Sequence, residues 1–140
     1  MQEVVNLLEE KNICLKRFID INSKQLEFIQ AGNFDDLDNF YAARENILEI
    51  IQRVDEMIEI ASLNFIEEEN TEDVKNSIRK SINEKGDLVN RILAQDLEIL
   101  SKIDTAKSEI IKELAGVKAS RKAIGAYKSG NKDHKLDEEA

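Results

Sequence analysis

The sequence predicts an all-α protein: an antiparallel helical hairpin followed by a long third helix, as a three-helix bundle or coiled coil. Three observations predict it. No proline and only five glycines occur in 140 residues, so few positions force the chain to break. Apolar residues recur in alternating steps of four and three through three long runs, the spacing of helices with a buried seam. Charged residues make up 35 % and aromatics 5 %, a balance found in coiled coils and long-helix bundles. No stretch alternates like a half-buried strand.

The first run, expected at about 2–31, places Met1, Val5, Leu8, Asn12, Leu15, Ile19, Asn22, Leu26 and Ile29 on one seam. It stops at "AGNFDD", where Gly32 suits a left-handed C-terminal cap and Asn33 or Asp35 can cap the next helix. The second run, about 35–66, repeats the rule with Leu37, Phe40, Arg44, Ile47, Ile51, Val54, Ile58, Ala61 and Phe65. Leu48, Met57 and Ile60 widen this stripe, so the second helix is expected to touch more than one neighbour. Asn12, Asn22 and Arg44 stand at seam positions, where buried polar groups set register at some cost in stability. The run ends in "EEENTED", where Asn70 or Thr71 can cap a third helix with acids in its first turn.

The third run spans Thr71 to Tyr127, interrupted only by Gly86, Gly116 and Gly125. As one helix it would be roughly 85 Å long, against roughly 45 Å for the hairpin. Val74, Ile78, Ile82, Val89, Ile92 and Leu93 can pack along the hairpin, whereas Ile99, Leu100, Ile103, Ala106, Ile110, Ile111, Leu114 and Val117 continue the stripe past it. Either the chain breaks near Gly86 and folds back as a fourth helix, or the last third projects with a weakly covered apolar face. A lone glycine costs a helix about 1 kcal/mol against alanine, too little to force a turn, which favours the long helix. An uncovered stripe would be a site for a partner helix; a fourth helix or a homodimer would cover it instead. The expected organisation is one helical domain over 1–127 and a disordered polar tail over 128–140.

Charge is unevenly distributed. The chain carries −9 overall, with 14 basic against 25 acidic residues in 1–114. Residues 115–132 hold Lys118, Arg121, Lys122, Lys128 and Lys132 and no acid, and "DHKLDEEA" is acidic again. The acidic balance argues against nucleic acid as a partner, since phosphate binding needs clustered cations over much of the surface. "MQEVVNLLEEKN" lacks the basic start and apolar run of a signal peptide, and no apolar run approaches the roughly 20 residues of a membrane span. The expectation is a soluble cytoplasmic protein without membrane insertion.

No catalytic constellation is recognisable. The one histidine, His134, lies in the polar tail, and a solvated tail residue explains it better than a ligand. The acid clusters at 67–69 and 137–139 lack calcium-loop spacing, and glycine-rich phosphate loops are absent. The lone Cys14 cannot form a disulfide within the chain or a metal site by itself. Neither an enzyme nor a metal or other cofactor is expected.

The segment "VKASRKAIGAYKSGNK" stands apart. Val117, Ile124 and Tyr127 share one helical face, and Ala115, Gly116, Ala119, Ala123, Gly125 and Ala126 keep its profile thin. A tyrosine offers a stiff contact area with a polar tip and suits an interface anchor; it equally suits a cap on the end of a bundle.

"GDLVNRILAQDLEIL", with Gly86, Leu88, Val89, Arg91 and Leu93, and "KAIGAYKSG" near the C-terminus resemble segments of the FlgN/FliT-type chaperones of bacterial flagellar type III export. Lys85 stands where that family commonly has asparagine. The resemblance implies binding rather than catalysis: a cytoplasmic chaperone holding the terminal helices of an unassembled hook-filament junction or cap protein and delivering them to the export gate. It implies a client surface at Ile99, Leu100, Ile103, Ile110, Ile111, Leu114 and Val117. Docking to the gate protein FlhA would fall to Ile124 and Tyr127, with Lys118, Arg121, Lys122 and Lys128 as a basic patch. The alternatives are a self-associating scaffold, with homodimer pairing through the same stripe, and a helical regulator sequestering a transcription factor.

Overall fold

Gly32 has φ +79°, a left-handed conformation that side-chain-bearing residues rarely adopt, and the first helix ends there. The Gly32 amide donates to the Ile29 carbonyl at 2.9 Å and the Asn33 amide to the Phe28 carbonyl at 2.8 Å. This paired closure satisfies carbonyls that a helix end otherwise leaves bare. The computed structural model describes residues 2–64 and 70–131, with side chains as far as residue 126. Met1, Phe65, the acids at 67–69, Lys132, His134 and the tail acids lie outside the described residues, as do the side chains of Tyr127 and Lys128.

Three helices make up the described chain: α1 Gln2–Gln30, α2 Leu37–Leu63 and α3 Glu72–Asn131. No strand occurs among the described residues. The fold class is all-α, with no fourth helix there, because α3 runs through Gly86 without a turn. It also continues four residues past Tyr127. Asn33 and Asp35 do not cap α2. Asn33 Oδ1 instead accepts the Asp35 amide at 2.9 Å within the turn, and Asp36 occupies the cap position without a side-chain cap bond. Thr71 does cap α3, its Oγ1 accepting the Val74 amide at 3.2 Å, with Glu72 and Asp73 favourably placed in the first turn.

The chain divides into two compact units, Met1–Leu100 and Ser101–Ala140. In the first unit α1 is the central helix. Its predicted seam is buried at Val5, Asn12, Leu15, Ile19, Asn22, Leu26 and Ile29, and a second stripe at Val4, Leu7, Cys14, Phe18 and Gln25 is buried beside it. α2 buries one residue every seven, Phe40, Ile47, Val54 and Ala61. Leu48, Met57 and Ile60 are about half-exposed, so the helix with two packed faces is α1 rather than α2. One core cluster joins Cys14, Leu15, Phe18 and Ile19 of α1 to Ile47 of α2 and Leu88 and Ile92 of α3. A second joins Val4 and Leu7 to Val54 and Ala61. Each valine, leucine, isoleucine and phenylalanine among them contributes about 1.5–3 kcal/mol when fully buried, so these clusters are the main cohesive term. Among the described residues, no helix is long and apolar enough to cross a membrane.

Candidate functional site

Two kinds of surface compete for a functional role, a buried polar layer in the first unit and an exposed apolar column in the second. The polar layer grows from seam positions that hold amides. Asn22 is fully buried, and its Nδ2 donates to Gln95 Oε1 and to Asp96 Oδ1, each at 3.2 Å. Gln95 Nε2 donates in turn to the Ile19 carbonyl at 3.2 Å and to Ser23 Oγ at 3.0 Å. Arg44 reaches Asp96 Oδ2 at 3.0 Å, with its guanidinium 4.8 Å from the Phe18 ring centre and 5.2 Å from that of Phe40. One layer therefore ties all three helices together, and it holds the charge of Arg44 between an anion and two π faces.

Asn12 forms a smaller bridge, its Nδ2 donating to the Ser81 carbonyl at 2.9 Å. Asn12 Oδ1, Asn22 Oδ1 and Gln25 Nε2 are buried with no partner among the described residues. A buried unpaired polar atom costs about 1–3 kcal/mol, so these three offset what the hydrogen bonds of the layer contribute. It constrains how the helices pair, because any slip would strand more polar atoms. Lys11–Asp55 at 2.6 Å and Lys16–Glu84 at 2.8 Å add cross-helix pairs nearer the surface. No group of three or more His, Cys, Asp or Glu able to hold a metal ion occurs among the described residues. Cys14 is buried in the core as a small packing residue.

The residues expected to form a client surface divide sharply. Ile99, with 2 % of its surface exposed, and Ile103, with 9 %, are buried and cannot offer a free face. This corrects their placement on an uncovered stripe. Leu100, Ile110, Ile111, Leu114 and Val117 are exposed, as is Ile124. From Ile110 to Ile124 the apolar side chains keep 46 % to 65 % of their surface in water. Helical spacing puts Ile110, Val117 and Ile124 in one column, with Lys107, Leu114 and Arg121 in the neighbouring one. Ala106 and Gly125 are half-buried, and Lys118, Arg121 and Lys122 are exposed. The column is thus an apolar strip interrupted by Lys107 and Arg121, with Lys118 on one flank and Glu113 on the other, able to take an amphipathic helix.

In the first part of α3, Val74, Ile78 and Val89 are half-buried and Ile92 is buried, while Ile82 and Leu93 stand half in water. The inward positions missed by apolar periodicity are Ser81, Leu88 and the pair Gln95–Asp96. A seam counted in steps of three and four from Val74 does pass through 81, 88 and 95, and that spacing was the available signal. No family model, curated protein or solved structure matches this chain.

Proposed function

We propose that this chain is an export chaperone of the FlgN/FliT type. It holds the amphipathic terminal helix of an unassembled flagellar axial protein, at the hook-filament junction or cap, on α3 and presents it to the export-gate protein FlhA. The observation that carries this reading is the exposed column of Ile110, Leu114, Val117 and Ile124 on an intact helix. Large aliphatic side chains in register along one helix face keep a standing cost in water, roughly 25 cal/mol per Å², that a second helix removes. Lys118, Arg121 and Lys122 beside the column would draw acidic groups on client or gate and make encounter salt-sensitive. The resemblance of "GDLVNRILAQDLEIL" and "KAIGAYKSG" to segments of those chaperones supports the same reading and assigns gate docking to Ile124 and Tyr127. A cytoplasmic setting in a bacterium belongs to this proposal.

Limited trypsin digestion of the full chain tests the client surface. With the terminal-helix peptide of a junction or cap protein bound, cleavage at Lys107, Lys112, Lys118 and Arg121 should slow at least about tenfold. Equal cleavage with and without peptide rejects the assignment. For docking, Tyr127→Ala should weaken FlhA binding about tenfold or more and leave client binding intact, as expected for an interface anchor. Loss of both, or of neither, sinks the role of Tyr127.

A second reading is favoured by one specific observation, the seven-residue spacing of Ile110, Val117 and Ile124, which also suits a homodimeric coiled coil. In a parallel pair Lys107 and Arg121 would each face their own copies, which weighs against it. A homodimer by light scattering at low micromolar concentration, dissociated by Leu114→Asp, would establish this reading over the first.

A further inference from the structure

Near the turn at Gly32 the first unit holds an open hollow of about 230 Å³ between α1 and α2. Ile21 and Phe28 of α1 and Phe40 and Ala43 of α2 give it a largely apolar lining. The turn steadies one side of it, since the Asn33 amide donates to the Phe28 carbonyl. Phe28 still keeps 37 % of its surface in water, whereas Phe40 is buried. Ala43 contributes only a methyl group, which leaves the space unfilled.

Gln25 lines the same hollow, and nothing inside the first unit uses its polarity. It continues the buried stripe of Val4, Leu7, Cys14 and Phe18, where an apolar residue would serve the packing. The residue is 2 % exposed, and its Nε2 has no hydrogen-bond partner among the described residues. The other two orphaned atoms there, Asn12 Oδ1 and Asn22 Oδ1, are acceptors on amides whose Nδ2 already bridges to α3. Gln25 Nε2 is the one donor, and buried N–H groups go unpaired more rarely than oxygens. The last torsion of a glutamine is broad and twofold, so the amide turns its N–H toward a bound acceptor at little cost.

We propose that this hollow binds a small, neutral aromatic molecule bearing a carbonyl oxygen, its ring against Phe28 and Phe40 and its oxygen on Gln25 Nε2. The size follows from the volume. A cavity of about 150 Å³ accommodates benzene, and sites for drug-sized ligands run to roughly 300–1,000 Å³, so one ring with a short substituent fits here. Two phenyl groups in the lining favour a ring over an aliphatic chain, through offset or edge-to-face contact. Neutrality follows from the two charged residues that line the hollow, Lys24 and Asp36, which are of opposite sign. Asp36 Oδ1 already accepts from Asn39 Nδ2 at 2.7 Å. A carbonyl brings an acceptor and no donor, the complement of what Gln25 lacks. The hollow lies wholly within the first unit, so the proposal stands or falls independently of the chaperone reading.

Acetophenone and ethylbenzene are the probes, alike in ring and size but only the first with an acceptor, and their dissociation constants for the full chain are read by ligand-detected NMR. Acetophenone should bind, and Gln25→Leu should shift the ratio of the two constants about tenfold in favour of ethylbenzene. That ratio cancels the difference in how water solvates the probes and isolates the hydrogen bond. Gln25→Leu should also raise the thermal midpoint of the free chain, because it removes an orphaned donor. Ala43→Leu should abolish binding of both probes by filling the hollow. On the unaltered chain, the Gln25 side-chain amide resonance should move downfield with acetophenone and not with ethylbenzene. The proposal is overturned if acetophenone does not bind, if Gln25→Leu leaves the ratio unchanged or lowers the midpoint, or if Ala43→Leu binds as before. Should a variant fail to fold by circular dichroism, the amide resonance of the unaltered chain decides alone, and equal shifts with the two probes overturn the proposal.

Discussion

Residues 72–100 and 101–126 of α3 belong to one helix and carry the same apolar repeat, yet the first buries a continuous face of it while the second, past Ile103, leaves it in water. The first stretch buries Leu88, Ile92 and Ile99 and sends Gln95 and Asp96 into α1 and α2. In the second stretch Ile110, Ile111, Leu114, Val117 and Ile124 are all exposed. Its one side-chain hydrogen bond among the described residues is Thr105 Oγ1 to the Ser101 carbonyl, within the helix. The comparison teaches that an apolar repeat reports a face wanting a partner and says nothing of whether the chain supplies one. Where it does, polar side chains bridge to neighbouring helices; where none of the described residues covers it, exposed charges of both signs, Lys107, Arg121 and Glu113 among them, stand beside an open strip.

The largest effect should come from exchanging the same truncation between the two stretches. Ile99→Ala removes a buried side chain and should cost about 2–5 kcal/mol in urea unfolding, whereas Ile110→Ala should change stability by less than about 0.5 kcal/mol. Similar losses at both positions would erase the distinction. A smaller effect sharpens the polar side of it. Asp96→Ala leaves Arg44 half-buried without its anion and should cost about 2–3 kcal/mol. The double variant Arg44→Met with Asp96→Leu should recover most of that loss, because an apolar pair needs no compensation. If the double variant is the less stable, the ion pair contributes net stability and the layer does more than set alignment. Smallest of these, Thr71→Ala should cost about 1 kcal/mol by freeing the Val74 amide at the start of α3.

Much of the bundle was legible because helix seams and caps are local. The α1 seam, the closure at Gly32 and the Thr71 cap all follow from spacing and residue type. Three things were hidden. The second stripe of α1 mixes Cys14, Phe18 and Gln25 with apolar residues at ordinary spacing, and which helix sits centrally depends on all three packing together. Gln95 and Asp96 look like surface residues until Asn22 and Arg44 are placed opposite them. Ile99 and Ile103 lie on the same repeat as Ile110 and Val117, and no periodicity marks the point along it where burial gives way to exposure. The exposed column itself could be read from sequence, but its inner end could not.

The four residues that α2 buries at seven-residue intervals also form a graded series. Phe40, Ile47, Val54 and Ala61 shrink steadily along the helix. A uniform column of leucines would accept a slide of one heptad with little penalty, since every site would receive an equivalent side chain. Here such a slide toward one end would press each larger side chain into a smaller space, and toward the other would leave a void at every level. The series therefore works as a wedge that seats at one depth, giving the hairpin its alignment by volume, independently of hydrogen bonds or charge.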